Sequence, residues 1–293
     1  MKFAQLVIGP AGSGKSTFCE TMKQFCDASG RSLHIVNLGM LVHSFKHSFL
    51  VLHVLIYCAC VDPAAEEFTY PVSVDIRELI CLEDAMVELG LGPNGALLYC
   101  MEYMEENLQE WLQDELSAYG DDDYLLFDCP GQIELYSHLS VFQTFVRELQ
   151  LDGWNVGCIY CLDSQFMEDA SKYISGCLTA LASMIQLELP HLNVLTKVDL
   201  LGTKVLNDDP EDGIIIPDPT TLVHSLDASS SKRFHKLNAA IASLLDDYSM
   251  VGFVPLDITD EESIEACMLQ ADTSVQYGED QDVKIQPDAD CYE

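Results

Sequence analysis

Three features of the sequence predict an α/β fold with a doubly wound, mostly parallel sheet and helical insertions. Short apolar runs alternate with stretches of 3.6-residue apolar period along most of the chain. Three of the runs, "YLLFDCPG", "NVGCIYCLD" and "HLNVLTKVD", carry an aspartate at their carboxyl ends. Ligands of open parallel sheets sit at those ends, so this feature points to a site as well as a fold. Finally, the first run, "FAQLVIG", passes through a Gly-rich turn directly into a helical pattern.

In order along the chain, that first strand is followed by a helix from about Lys15 to Ser29, and "SLHIVNL" is the next strand. "DIRELICLEDAMVELG", from Asp75, has helical period throughout. Gly92, Pro93 and Asn94 read as a tight turn, because Pro fixes φ while Gly and Asn tolerate unusual backbone angles. Helical segments then continue through "ENLQEWLQDEL", and the three aspartate-bearing strands follow, separated by helices. "LNDDPEDGIIIPDPT", from Leu206, is a Pro- and Asp-rich loop. Residues 1–278 are read as one domain and 279–293 as an acidic, disordered tail.

The chain has 293 residues, 48% of them hydrophobic, which suffices for a substantial core. Its 14 Lys and Arg face 48 Asp and Glu, a formal charge of −34. A field of that sign repels nucleic acid and anionic membranes, so neither is an expected partner. Twelve scattered cysteines and no signal-peptide pattern predict reduced thiols in a cytosolic or nuclear protein. Cys158 and Cys161 form a C-x-x-C inside a strand, where alternation sends them to opposite faces rather than to a shared metal.

Chemistry concentrates in three segments. "GPAGSGKS", Gly9 to Ser16, matches G-x-x-x-x-G-K-[ST] between a strand and a helix, the setting of a phosphate-binding P-loop. Backbone N–H groups around Gly12, Ser13, Gly14 and Thr17 are placed to cradle phosphate oxygens at the helix N-terminus. Lys15 neutralises the β- and γ-phosphates and the Ser16 hydroxyl ligates Mg²⁺. In "YLLFDCPGQ", Asp128 is a second Mg²⁺ residue, with a turn or cap role as the structural alternative. The Gly131 N–H meets the γ-phosphate and Gln132 orients water. In "NVLTKVDL", Thr196, Lys197, Val198 and Asp199 follow a third strand. A carboxylate at Asp199 can accept from both N1–H and N2–H of guanine, a donor pair that adenine lacks. The Lys197 stem is expected to lie over the base. GTP with Mg²⁺ is the ligand these features select. A P-loop nucleotide kinase remains an alternative, as does a nucleotide-gated scaffold with negligible turnover.

"GPAGSGKST", "DPAAE", "DIRELI", "LGPNGAL", "DCPGQIELYSH" and "LTKVDLL" occur in the order found in the GPN-loop GTPases, which the chain resembles from about Phe3 to Asp282. "YCMEYM", "DSQFM" and "QYGED" are most similar to the third eukaryotic branch of that family. The resemblance implies GTP hydrolysis, and dimers with itself or with another GPN-loop GTPase. It also implies that Gly92, Pro93 and Asn94 reach the partner's active site, where Asn94 holds the phosphate being released. It assigns Asp62 to positioning or deprotonating water, and it implies work in assembly and nuclear import of RNA polymerase II. The fifth guanine-binding segment is only loosely matched, by "FVPLDITDEES" from Phe253.

One stretch breaks the pattern. Residues 39–61 contain no Asp or Glu, and deleting them leaves "HIVNLDPAAEEFTY", which matches the family without a gap. Lys46, His43, His47 and His53 interrupt the apolar run that a membrane span needs. His43, His47, His53, Cys58 and Cys60 lack a usual zinc spacing. An extra helix on the sheet is another alternative. The favoured reading is a translated intron or misplaced exon boundary.

Overall fold

The computed structural model describes residues 2–39, 70–120, 123–137, 140–201, 222–248 and 251–278. Most of the atypical stretch, Asp62, the loop from Leu206 and the tail from 279 lie outside the described residues. In chain order the elements are β1 (Lys2–Ile8), α1 (Lys15–Ala28), β2 (Leu33–Asn37), β3 (Val72–Asp75), α2 (Leu82–Leu89), α3 (Pro93–Glu106), α4 (Leu108–Leu116), β4 (Tyr124–Asp128), α5 (Glu134–Ser137), α6 (Val141–Leu151), β5 (Trp154–Asp163), α7 (Ala170–Leu187), β6 (His191–Thr196), α8 (Val223–Ser229), α9 (His235–Asp247), β7 (Phe253–Pro255) and α10 (Glu261–Ser274).

The strands form one sheet in the order β3-β2-β4-β1-β5-β6-β7, and every pairing is parallel. β1 is central, and its alternation builds both cores. Ala4, Leu6 and Ile8 enter the core that also takes residues of α3, α4, α6 and α7. Phe3 and Val7 enter the other, shared with α1 and α10. Burial on both faces is why these strands read as continuous apolar runs. Cys158 belongs to the first core and Cys161 to the second, as strand alternation requires. Gln5 is buried on the α10 side, where its Nε2 donates to the Ala271 carbonyl at 2.7 Å.

Two expectations are corrected. The helical period from Asp75 is not one helix. Val72–Asp75 is the edge strand β3, and the Asp75 carboxylate caps a single 3₁₀ turn, Ile76–Glu78, by accepting from the Arg77 N–H. Helix resumes only at Leu82. Over so short a span an apolar period does not separate a strand plus turn from a helix. Gly92–Asn94 is not a tight turn either. Gly92 is an extended N-cap (φ −75°, ψ 167°) and Pro93 opens α3. Proline is suited to the first helical position, where no intrahelical partner awaits its missing N–H and its φ is preset.

α10 is clamped to the sheet by one cation. The Arg31 guanidinium donates to both Asp272 carboxylate oxygens at 2.7 Å and lies 3.8 Å from the Tyr277 ring centroid and 4.6 Å from that of Tyr124. The bidentate pair is mostly buried, each side chain being 16% exposed. Arg31→Met is therefore expected to lower stability by about 1–3 kcal/mol, measured by urea denaturation. An unchanged midpoint would show that the clamp contributes nothing.

Candidate nucleotide site

The loop after β1 is shaped by backbone that tolerates no side chain. Gly9 has φ +142°, and a Cβ there would lie 2.3 Å from the Cys161 carbonyl oxygen of β5. Across the loop, a Cβ on Gly131 would lie 2.8 Å from Ala11 Cα, so the segment after β4 also touches the loop backbone to backbone. The Tyr136 hydroxyl, buried in the core, donates to the Pro130 carbonyl and fixes that approach. Gly14, with φ 82°, precedes α1 and lets it begin at Lys15.

Lys15 is 8% exposed, and its Nζ donates to the Gly9 and Pro10 carbonyls at 3.2 and 3.0 Å. The Ser16 hydroxyl donates to an Asp128 carboxylate oxygen at 2.7 Å, across the β1–β4 pair. The Tyr70 hydroxyl donates to the same oxygen at 2.6 Å. Burial pushes the Asp128 carboxyl above its ordinary value, while bonds from Tyr70 and Ser16 and the charge of Lys15 pull it back. Burial also raises the Tyr70 phenol, with the Asp128 charge adding to it, so Tyr70 stays a donor. Ser16 and Asp128 are hard oxygen donors side by side, which fits Mg²⁺. Ser13 Oγ is a buried atom with no hydrogen-bond partner, inside the same loop.

The segment after β6 is tied to the phosphate loop. Thr196 Oγ1 lies 2.6 Å from the Ser13 carbonyl and 3.1 Å from that of Leu162. Lys197 adopts a left-handed backbone (φ 59°), and its Nζ donates to the Gly12 carbonyl at 2.6 Å and to Asp163 at 2.7 Å. Ser164, fully buried, donates to the Lys197 carbonyl at 2.9 Å. Val198 is buried in the core, so its side chain packs rather than faces a ligand. Asp199 lies in the next turn with its carboxylate exposed. β7 lies beside β6, and the Leu256 N–H donates to the Leu195 carbonyl at 2.9 Å, placing the loosely matched fifth segment next to Thr196–Asp199.

Asp128, Gly131, Thr196 and Lys197 are thus each joined by a bond or contact to the loop that carries Gly12, Lys15 and Ser16. Thr17 and Gln132 are exposed at the starts of α1 and of the turn before α5. Gly92, Pro93 and Asn94 are exposed at the tip of α3, and no described bond joins them to the loop. Asp62 lies outside the described residues. Sequence reasoning missed Tyr70 and Ser164, and it marked Asp163 only as an aspartate ending an apolar strand, without a role; nothing local marked Tyr70.

A family described as conserved hypothetical ATP-binding proteins matches residues 7–54 and 40–277 in two pieces that overlap within the atypical stretch. GPN-loop GTPase 3 of Dictyostelium discoideum is 48% identical over 98% of this chain and 91% of its own length. The chain belongs to the GPN-loop GTPase family. GPN-loop GTPase 3 of Danio rerio is 45% identical over 99% of this chain and 93% of its own. Among solved structures, an apo-form GTPase from Pyrococcus abyssi matches with a TM-score of 0.66 over 93% of this chain and 97% of its own. At 22% identity that match speaks to the fold.

Tyr70 stabilises the ionised form of Asp128, so Tyr70→Phe should raise the Asp128 pKa further. A metal needs the carboxylate, so Mg²⁺-dependent nucleotide binding should then fail at a higher pH as pH falls. Titrating affinity against pH tests this, and an unmoved midpoint would show that Tyr70 does not hold that charge.

Proposed function

We propose that this chain binds GTP with Mg²⁺ and hydrolyses it to GDP and phosphate, as a GPN-loop GTPase. The observation that carries this reading is the bonding of the base-reading segment to the phosphate loop. Lys197 and Thr196 fix the turn bearing Asp199 relative to Gly12 and Ser13, so that one ligand can meet both. Asp199 accepts from guanine, the loop amides and Lys15 take the phosphates, and Ser16 and Asp128 would hold Mg²⁺. The metal supplies charge neutralisation on the phosphate oxygens when bound. The chain's own contribution is positioning and electrostatic stabilisation. Gln132 is exposed beside Gly131 and orients the attacking water, a role it shares with Asp62 in this reading.

The reading extends to partners. Gly92–Asn94 stands exposed at a helix start, as a group that serves a neighbouring subunit must. We infer a homodimer, or a heterodimer with another GPN-loop GTPase, in which Asn94 acts in trans on the departing phosphate. Work on RNA polymerase II subunits, in the cytoplasm with shuttling to the nucleus, is the cellular role that the family resemblance supports. The family match divides into two pieces that overlap inside residues 39–61, which supports reading that stretch as extra to the working enzyme.

Two experiments test this. Asp199→Ala removes two charge-assisted hydrogen bonds, so GTP affinity should fall by about 2–4 kcal/mol, roughly 30- to 1,000-fold, with ATP affinity unchanged. Equal losses for both nucleotides would overturn the guanine assignment. A chain lacking residues 39–61 should hydrolyse GTP faster than the full chain in single-turnover assays. Equal rates, with normal Mg²⁺ dependence, would show that the segment does not disturb the site.

A further inference from the structure

Two consecutive residues at the carboxyl end of β5 hold the same lysine by its two ends. The Lys197 Nζ donates to Asp163 Oδ2 at 2.7 Å, and the Ser164 hydroxyl donates to the Lys197 carbonyl at 2.9 Å. That lysine needs holding. Its backbone is left-handed (φ 59°, ψ 32°), a region in which a residue with a Cβ is strained and persists where its surroundings impose it. Its flexible stem loses rotamer freedom in reaching the Gly12 carbonyl, so that one bond to a neutral group is a weak restraint by itself.

The Asp163 carboxylate is already aimed. Its Oδ1 accepts from the Gln165 N–H at 2.9 Å and caps the 3₁₀ turn Ser164–Glu168, which leaves Oδ2 for the lysine. The side chains of Asp163 and Lys197 are 15% and 33% exposed, so the pair is screened less than one at the open surface. The base-reading turn starts on this lysine. The Lys197 carbonyl also accepts from the Leu200 N–H at 3.0 Å, closing the turn Val198–Leu200 that carries Asp199.

We propose that Asp163 is a positioning residue for guanine selectivity. Its carboxylate holds the Lys197 ammonium, and through that residue it sets where the Asp199 carboxylate meets the base. The proposal rests on the guanine reading of Asp199 and adds to it a residue that acts through another. Asp163 also brings a negative charge toward the phosphate loop, and removing that charge favours every nucleotide. The two effects separate in a ratio of affinities, because two nucleotides with identical phosphates feel the charge equally.

GDP and inosine diphosphate are such a pair. They differ in the 2-amino group of the base, one of the donors assigned to Asp199. Their dissociation constants with Mg²⁺ are measured by calorimetry for the full chain, Asp163→Asn and Asp163→Ser. Both replacements keep an oxygen suited to capping the turn and lose the charge, and circular dichroism checks that each folds. The parent should prefer GDP roughly 30-fold, and each variant should lower that ratio about fivefold. Lys197→Met should lower it as well. Asp163→Ser added to Lys197→Met should lower it no further, since residues that act as one unit are not additive. A ratio unchanged in both Asp163 variants, or a further fall in the double variant, would overturn the proposal and leave the guanine assignment standing. A parent that does not prefer GDP would overturn both.

Discussion

The site depends on how closely three backbone segments approach one another. The loop from Gly9 to Ser16 sits between the carboxyl ends of β4 and β5, and both flanks touch it without an intervening side chain. At Gly9 a Cβ would run into the β5 carbonyl at Cys161, and at Gly131 one would run into Ala11. Single methyl groups at these points would displace the loop or its neighbours, because packed backbone has no rotamer through which to give way. From that approach follows the Ser16–Asp128 bond on one side, and the Thr196 and Lys197 bonds on the other.

Those bonds make the phosphate loop the common member of two networks. One runs from Tyr70 through Asp128 to Ser16 and gathers oxygen donors suited to Mg²⁺. The other runs from Ser164 and Asp163 through Lys197 to Gly12 and holds the turn that carries Asp199. A ligand reaching from Asp199 to Ser16 therefore meets groups whose relative positions are set before it binds. Such preorganisation is the main resource of an enzyme whose chemistry is electrostatic. The Leu38 N–H donates to the Asp128 carbonyl at 2.8 Å, so the end of β2 also belongs to this network.

How much the sequence disclosed follows the range of the interactions. The P-loop was readable because its chemistry is local: consecutive residues, a preceding strand and a following helix. The alternation of β5 was readable for the same reason, down to the opposite faces of Cys158 and Cys161. β3 was hidden because its four residues carry too little period to compete with the helix that follows. Gly92–Pro93 was misread because the same pair that favours a turn also favours a helix start, and only the chain beyond decides. Tyr70 and Gln5 were hidden because their partners, Asp128 and Ala271, are distant in sequence. Lys197 was half-readable: its motif placed it at the site, but its bonds to Gly12 and Asp163 are tertiary.

The central claim is that one loop holds both ends of a guanine nucleotide in register with its metal ligands. A crystal structure of the full chain with Mg²⁺ and a non-hydrolysable GTP analogue tests it most directly. The account predicts phosphates over Gly12–Thr17, a metal against Ser16 with Asp128 in its immediate surroundings, and the guanine edge on Asp199. A nucleotide whose phosphates occupy the loop while its base lies away from Asp199, or a metal with neither Ser16 nor Asp128 beside it, would contradict the account.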